Sequence, residues 1–380
     1  MEKKFKLSTL IAACAVCLLI GVVIPLGTAL IMAGGWHNLV YAGKYAVVAE
    51  IIEDRYIGDS DPEKVCDAAV SAMISSTGDK WSYYMTAEEY ESYKEYVANA
   101  YTGVGITIRQ DEESGGLEIV SVSAGSPAET AGIVSGDVLT AVDGQELNGM
   151  TTAEVKSIIQ SKYGSEMLFT VIHADGSRSE LPVTSGEIKV QAVTHEMLDG
   201  NIGYIRIVNF EVGSADGAIN AVEELTEQGA KALLFDVRSN PGGRVSELTK
   251  LLDYLLPEGD IFVSVNKAGE ETVTRSDSSC VELPMAVLVN ADSYSAAELF
   301  AATLSEYDWA VTVGESTTGK GRSQITISLA DGSAVHISTN AYLTPDRVDL
   351  SETGGIVPDY EVANSAEADE QLETATKILS

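Results

Sequence analysis

Ile202-Gly-Tyr-Ile-Arg-Ile207, Ala215–Gln228 and Ala232-Leu-Leu-Phe-Asp-Val237 follow one another along the chain, and their order decides the fold. The first and third are apolar runs of strand length, while the second carries helical spacing. The alternation continues with a helix at Val245–Leu256, a strand at Met285-Ala-Val-Leu-Val289 and a helix at Ala296–Glu306. Strands are then expected at Ala310–Val313, Gln324–Ser328 and Ala334–Ser338. Such a pattern argues for an α/β domain with βαβ-type connections over residues 186–380.

Upstream the pattern changes. Residues 101–185 read as short strands with turn punctuation: Val104-Gly-Ile-Thr-Ile108, Leu117-Glu-Ile-Val-Ser-Val122, Val138-Leu-Thr-Ala-Val142 and Leu168-Phe-Thr-Val-Ile172. Helices are expected at Pro127–Ala131 and Thr152–Gln160, which makes this a small β-rich domain. Residues 38–100 read as helical. Apolar spacing runs through Tyr45–Ile52, Asp61-Pro62 starts a second helix, and Thr86, with Glu89 three residues on, starts a third that reaches Val97.

The first 34 residues stand apart. Lys3, Lys4 and Lys6 precede an apolar run from Leu10 to about Met32, long enough to cross a bilayer core of roughly 30 Å. The lysines keep that end cytoplasmic, so the expectation is a single-pass anchor in the cell membrane with the remainder extracytoplasmic. A cleaved signal peptide is the rival, but the run lacks a clean small-x-small exit. Ile11-Ala-Ala-Cys14 has the form of a lipoprotein site, yet apolar residues continue well past it.

Composition excludes several classes. The 57 acidic residues against 24 basic give a net charge of −33, which repels nucleic acid and suits basic partners. Hydrophobic residues make up 45% of the 380-residue chain, enough for a sizeable core. Beyond the anchor no Cys-x-x-Cys or His-Glu-x-x-His appears, and His37, His173, His195 and His336 are scattered, so no metal is expected. Cys66 and Cys280 leave a pairing open.

Three segments could carry chemistry. Arg238-Ser-Asn-Pro-Gly-Gly243 follows a strand and opens a helix, where free amides can cradle a developing oxyanion. Ala291-Asp-Ser-Tyr-Ser-Ala-Ala-Glu298 puts Ser293 and Ser295 at a helix start, where either could simply be the N-cap, with Glu298 completing a capping box to Ser295. Gly314-Glu-Ser-Thr-Thr-Gly-Lys-Gly321 imitates a phosphate loop but lacks the Ser or Thr after its lysine. A buried Lys320 could instead serve as a base, with Gln324 on the same face of the strand to orient its amine.

Together these segments resemble the carboxyl-terminal processing peptidases, or tail-specific proteases. Gly203–Phe210, Asp236–Gly243, Val289–Glu298, Gly314–Gln324, Ala341-Tyr-Leu-Thr-Pro345 and Gly355-Ile-Val-Pro-Asp359 follow that family's motifs in order. The resemblance implies a crotonase/ClpP-like α/β peptidase domain with Ser295 as nucleophile, Lys320 as general base and Gln324 in support. It places the oxyanion hole on the amide of Ala296 with that of Gly242 or Gly243. Tyr294 and Ala297 depart from the family's usual Ser-Ala-Ser-Ala-Ser-Glu.

Residues 101–185 resemble an inserted PDZ domain of the permuted bacterial type, through Tyr101–Ile106, Gly125–Gly132 and Gly136–Gly144. Thr102, Gly103, Val104, Gly105 and Ile106 would then receive a peptide carboxylate, with the peptide added as a strand. The implied activity is a serine endopeptidase that needs no cofactor and acts on proteins with unstructured C-terminal tails. The alternative is a catalytically silent, membrane-tethered PDZ adaptor. A Ser–His pair using His336 is the other base considered, and a homo-oligomer or a regulatory partner stays open.

Overall fold

In the two central strands, Ala232–Asp236 and Met285–Val289, every side chain is buried, and a period of two sends alternate residues to opposite faces, as it does in the neighbouring Ile202–Ile207. Ile205, Ile207, Leu233, Phe235, Val287 and Val289 enter one core, whereas Ile202, Ala232, Leu234, Ala286 and Leu288 enter another. The structure, a computed structural model, describes residues 7–24, 27–28, 31, 34–111, 116–365 and 368–380. The chain divides into two units, Met1–Gly78 and Asp79–Ser380.

The larger unit is built on a sheet ordered Val193–Leu198, Ile202–Ile207, Ala232–Asp236, Met285–Val289, Ala310–Gly314, Tyr360–Glu361. Its first pair is antiparallel and the rest run parallel. Helices Ser214–Glu227, Val245–Leu255 and Ala296–Glu306 contribute to one core, and Glu370–Leu379 to the other. The one charged residue of the central strands, Asp236, is satisfied by the Tyr204 hydroxyl at 2.7 Å and by Arg206 and Arg238. Arg238 also reaches Asp369 at 2.7 Å, which ties the last helix to the sheet.

A second, antiparallel sheet joins Tyr83–Met85, Ala334–Leu343, Gly259–Asn266 and Glu271–Ser276, with Arg322–Ser328 paired to Ala334–Leu343. The strand expected at Ala334–Ser338 thus runs on to Leu343. The helix Ala87–Val97 carries the expected capping box of Thr86 and Glu89, and it belongs to this larger unit.

The β-rich insert has its own core around Leu117, Ile119, Leu139, Phe169 and Val171. Its strands are ordered Ile106–Gln110, Leu117–Val122, Val138–Val142, Glu166–Ile172, Arg178–Thr184, which leaves Ile106–Gln110 at an edge. Ala100–Gly103 pairs antiparallel with Gly186–Lys189, so the chain enters and leaves the insert through one ribbon.

In the smaller unit, Trp36–Arg55 and Pro62–Ser75 are helices, the second capped by the Asp61 carboxylate on the Glu63 N–H. The apolar N-terminal run forms a helix at Leu7–Leu18 followed by a π-helical turn at Leu19–Val23. Among the described residues no helix is long and apolar enough to cross a membrane. Residues 1–6, 25–26, 29–30 and 32–33 of the expected anchor lie outside the described residues. All four cysteines are free.

Candidate active site

Two strand ends of the parallel sheet meet where ligands gather in such folds, beyond the carboxyl ends of the strands. The turn after Ala232–Asp236 is fastened to the turn after Met285–Val289. The Asn290 carboxamide accepts from the Ser239 N–H at 2.7 Å, and the Asn240 carbonyl accepts from the Tyr294 N–H at 3.1 Å.

The two serines of the second turn have different fates. Ser293 is fully buried, and its hydroxyl donates to the Val237 carbonyl at 2.8 Å, so it is spent on structure. Ser295 stands at the head of helix Ala296–Glu306 with φ 61° and ψ −121°. Holding a non-glycine residue at positive φ costs about 1–3 kcal/mol, strain of the kind stored at functional turns. Gly242 packs against this turn so closely that a Cβ there would lie 2.7 Å from Ser295 Cβ and 2.8 Å from the Ala296 nitrogen.

Lys320 is brought to the same place by a carboxylate. Glu298 has no solvent exposure and accepts four hydrogen bonds. Its Oε2 receives the N–H groups of Ser295 and of Lys320, each at 2.9 Å. Its Oε1 receives the Gly319 N–H at 2.7 Å and the Thr317 hydroxyl at 2.5 Å. The capping role expected of Glu298 is therefore part of a larger one: a single buried carboxylate holds the serine turn and the lysine loop together.

Ser295, Lys320, Gln324, Gly242, Gly243 and Ala296 all line one cleft of about 910 Å³. Within it the Lys320 amine lies 4.6 Å from the Trp81 ring centre and 5.8 Å from that of Tyr294, whose rings stack on each other. Burial pushes the Lys320 pKa down to about 8, against the opposing pull of Asp79 and Glu298. The amine rests on aromatic faces, and among the described residues no hydrogen bond links it to Ser295. Gln324 is also turned elsewhere: its NH₂ donates to the Arg322 carbonyl at 2.9 Å and to the Ser338 hydroxyl at 3.0 Å.

The oxyanion candidates separate on hydrogen bonding. The Gly242 N–H donates to the Asn240 side chain at 2.8 Å and is engaged in the resting site. Phe210 bridges the turn through the Gly242 carbonyl and the Arg244 N–H, passing over the Gly243 amide. Ala296 opens its helix, where an N–H has no partner one turn back. Gly243 and Ala296 line the cleft, and among the described residues neither amide has a hydrogen-bond partner.

His336 also lines the cleft, but its Nδ1 is 2.8 Å from the Thr326 hydroxyl and its ring packs on Tyr83 and Tyr93. Burial, with the Lys320 charge adding, pushes its pKa down to about 4. Three residues escaped the sequence reading. Trp81 carries no motif. Asn240 and Tyr342 sit inside quoted motifs, but nothing in those motifs marked their roles. The buried Tyr342 phenol lies against the Ser295 hydroxyl and donates to the Lys320 carbonyl.

Thr102, Gly103, Val104, Gly105 and Ile106 lie away from this cleft, on a groove of about 600 Å³ completed by Thr152, Lys156 and Ile159 of the helix opposite. The groove runs along the edge strand Ile106–Gln110, the geometry that strand addition needs.

A serine on a strained turn, a buried amine of lowered pKa and two amides without a hydrogen-bond partner among the described residues thus line one cleft, the parts that a serine-nucleophile hydrolase requires. Residues 201–362 match the model of peptidase family S41, and residues 118–172 match a PDZ domain. The carboxy-terminal processing protease CtpA of Bacillus subtilis (strain 168) is 33% identical over 299 residues, covering 78% of this chain and 64% of that protein. A probable CtpA-like serine protease of Staphylococcus aureus (strain N315) is 30% identical over 303 residues, covering 79% and 60%. The chain thus spans less than two thirds of the length of these relatives. Among solved structures, the photosystem II D1 C-terminal processing protease is similar with a TM-score of 0.50 at 25% identity, covering 88% of this chain and 90% of that one. The chain thus carries a peptidase family S41 domain and a PDZ domain.

Proposed function

We propose that this protein is a serine endopeptidase working through Ser295 and Lys320 on a crotonase/ClpP-like scaffold, with its PDZ groove recognising unstructured C-terminal tails. One observation carries the reading: a single Glu298 oxygen accepts from the backbone of both Ser295 and Lys320. Nucleophile and base are thereby held to one rigid point, while the lysine side chain stays free to turn. Neutral Lys320 swings from the Trp81 face and removes the Ser295 proton. The serine then attacks the peptide carbonyl, and the amides of Gly243 and Ala296 receive the oxyanion. Protonated Lys320 hands its proton to the leaving amine, and water hydrolyses the acyl-enzyme.

The curated relatives are named for carboxy-terminal processing, and the free edge strand with its groove supports tail recognition here. The lysines and apolar run at the N-terminus support a tether to the cell membrane with the rest extracytoplasmic. A second reading, favoured by the amine's place over Trp81, is a resting enzyme that tail binding switches on. The test is cleavage of a disordered substrate by wild type, Ser295→Ala and Lys320→Ala, each with and without a tail peptide. Both variants should be inactive while folded, and the peptide should speed the wild type. Turnover by either variant removes the dyad, and a folded wild type inactive in every arm leaves the silent adaptor standing.

A further inference from the structure

Beside the Gly242-Gly243 turn the cleft holds a carboxylate that the chemistry above does not use. Glu211 follows Phe210, whose N–H donates to the Gly242 carbonyl at 2.7 Å, and a Cβ on Gly243 would lie 2.9 Å from the Glu211 nitrogen. Glu211 lines the cleft with only 6% exposure. Its Oε2 is buried and has no hydrogen-bond partner among the described residues. The nearest cation, Arg244, holds its Nε 3.8 Å away, beyond hydrogen-bond reach, and its side chain is half exposed.

A buried carboxylate oxygen without a donor is costly, and folded proteins rarely keep one without a use. Nothing in the turn requires an acid here, because the strand contacts of this segment run through its backbone. We propose that Glu211 is a specificity residue, resting on the peptidase reading above, that receives a Lys or Arg side chain of the substrate next to the scissile bond. The substrate cation donates directly to Oε2 and displaces the loosely held Arg244. A peptide backbone offers N–H donors at every position and would gain no selectivity from a buried charge, whereas a cationic side chain would. The chain's net charge of −33 draws such segments in. Charged and titratable neighbours facing the carboxyl are Arg244, Glu247, Tyr83 and Tyr96. Burial, with Glu247 adding and Arg244 opposing, lifts its pKa to about 7, so it is largely charged above neutrality.

The test compares kcat/KM for peptides that differ at one position, Lys, norleucine or Glu, scanned across the residues flanking the cut at pH 8.5. At one flanking position Lys should exceed norleucine by roughly tenfold or more, the scale of one buried charged contact. In Glu211→Gln that ratio should collapse toward one, and in Glu211→Lys the Glu peptide should lead. A wild-type ratio near one, or a ratio unaltered in Glu211→Gln, overturns the inference while leaving the peptidase reading intact. If no peptide is cut at all, the peptidase reading fails, and binding to the Ser295→Ala chain decides this inference. A Lys preference in binding that Glu211→Gln removes sustains it; equal binding of Lys and norleucine peptides overturns it.

Discussion

Replacing Glu298 by Gln exchanges one carboxylate oxygen for an NH₂ group and should disable the site. The carboxylate is unexposed and accepts four hydrogen bonds, two at each oxygen. An amide oxygen can still accept from Ser295 and Lys320, but at the other position its NH₂ faces the Gly319 N–H, a donor, and the Thr317 hydroxyl, which can turn to accept. Two bonds to a charged acceptor are lost, and the Gly319 N–H goes unpaired. At about 1–3 kcal/mol for each, the variant should lose roughly 2–6 kcal/mol of stability. For a unit of this size that corresponds to a fall in Tm of roughly 3–10 °C. The lysine loop would also drift from the serine turn, and a displacement near 1 Å costs about a hundredfold in rate. Differential scanning calorimetry and peptide turnover measure the two effects. A Glu298→Gln protein that melts and turns over like wild type would refute the idea that this carboxylate couples base to nucleophile.

Two further outcomes follow from the same geometry. The folded pKa of Lys320, about 8, lies below its ordinary 10.5, so unfolding takes up a proton between those values and stability rises with pH across that window. Below pH 8 the full penalty of burying the ammonium is present. Lys320→Met should therefore raise Tm at pH 7 and show a shrinking advantage as pH approaches 10.5; calorimetry across that range would detect a gap that instead widens. Gly242→Ala would put a Cβ 2.7 Å from that of Ser295 at a backbone φ of 87°, so it should cost at least about 1–3 kcal/mol and most of the activity. Urea unfolding and turnover would show whether the turn instead absorbs the methyl.

Much of this was legible in the sequence because it depends on local pattern. The apolar runs at Ala232–Asp236 and Met285–Val289 are buried on both faces, and such strands announce themselves by composition alone. The Thr86–Glu89 cap could be read for the same reason, since its partners lie within one helical turn. What escaped depends on distance along the chain. Trp81 meets Lys320 only because Tyr83–Met85 joins the edge of a sheet whose other strands lie far downstream. Glu298 could be read as a cap from Ser295, but its bonds to Thr317, Gly319 and Lys320 need the folded loop. The hairpin of Gly259–Asn266 and Glu271–Ser276 was missed because the buried run Ile261-Phe-Val263 breaks the alternation of its first strand and the second is polar and half-exposed. Two adjacent glycines offer no way to tell which amide is left unpaired; in the folded turn the Asn240 carboxamide accepts from Gly242 rather than Gly243.

The claim on which the rest depends is that an uncharged Lys320 activates Ser295. Its most direct test is the rate at which a fluorophosphonate labels Ser295 as a function of pH, followed by intact-protein mass. Labelling should climb through an apparent pKa near 8 and level off above it, and Lys320→Ala should erase both the limb and the rate. Labelling that ignores pH between 6 and 10, or that proceeds equally well without the lysine, would contradict the account.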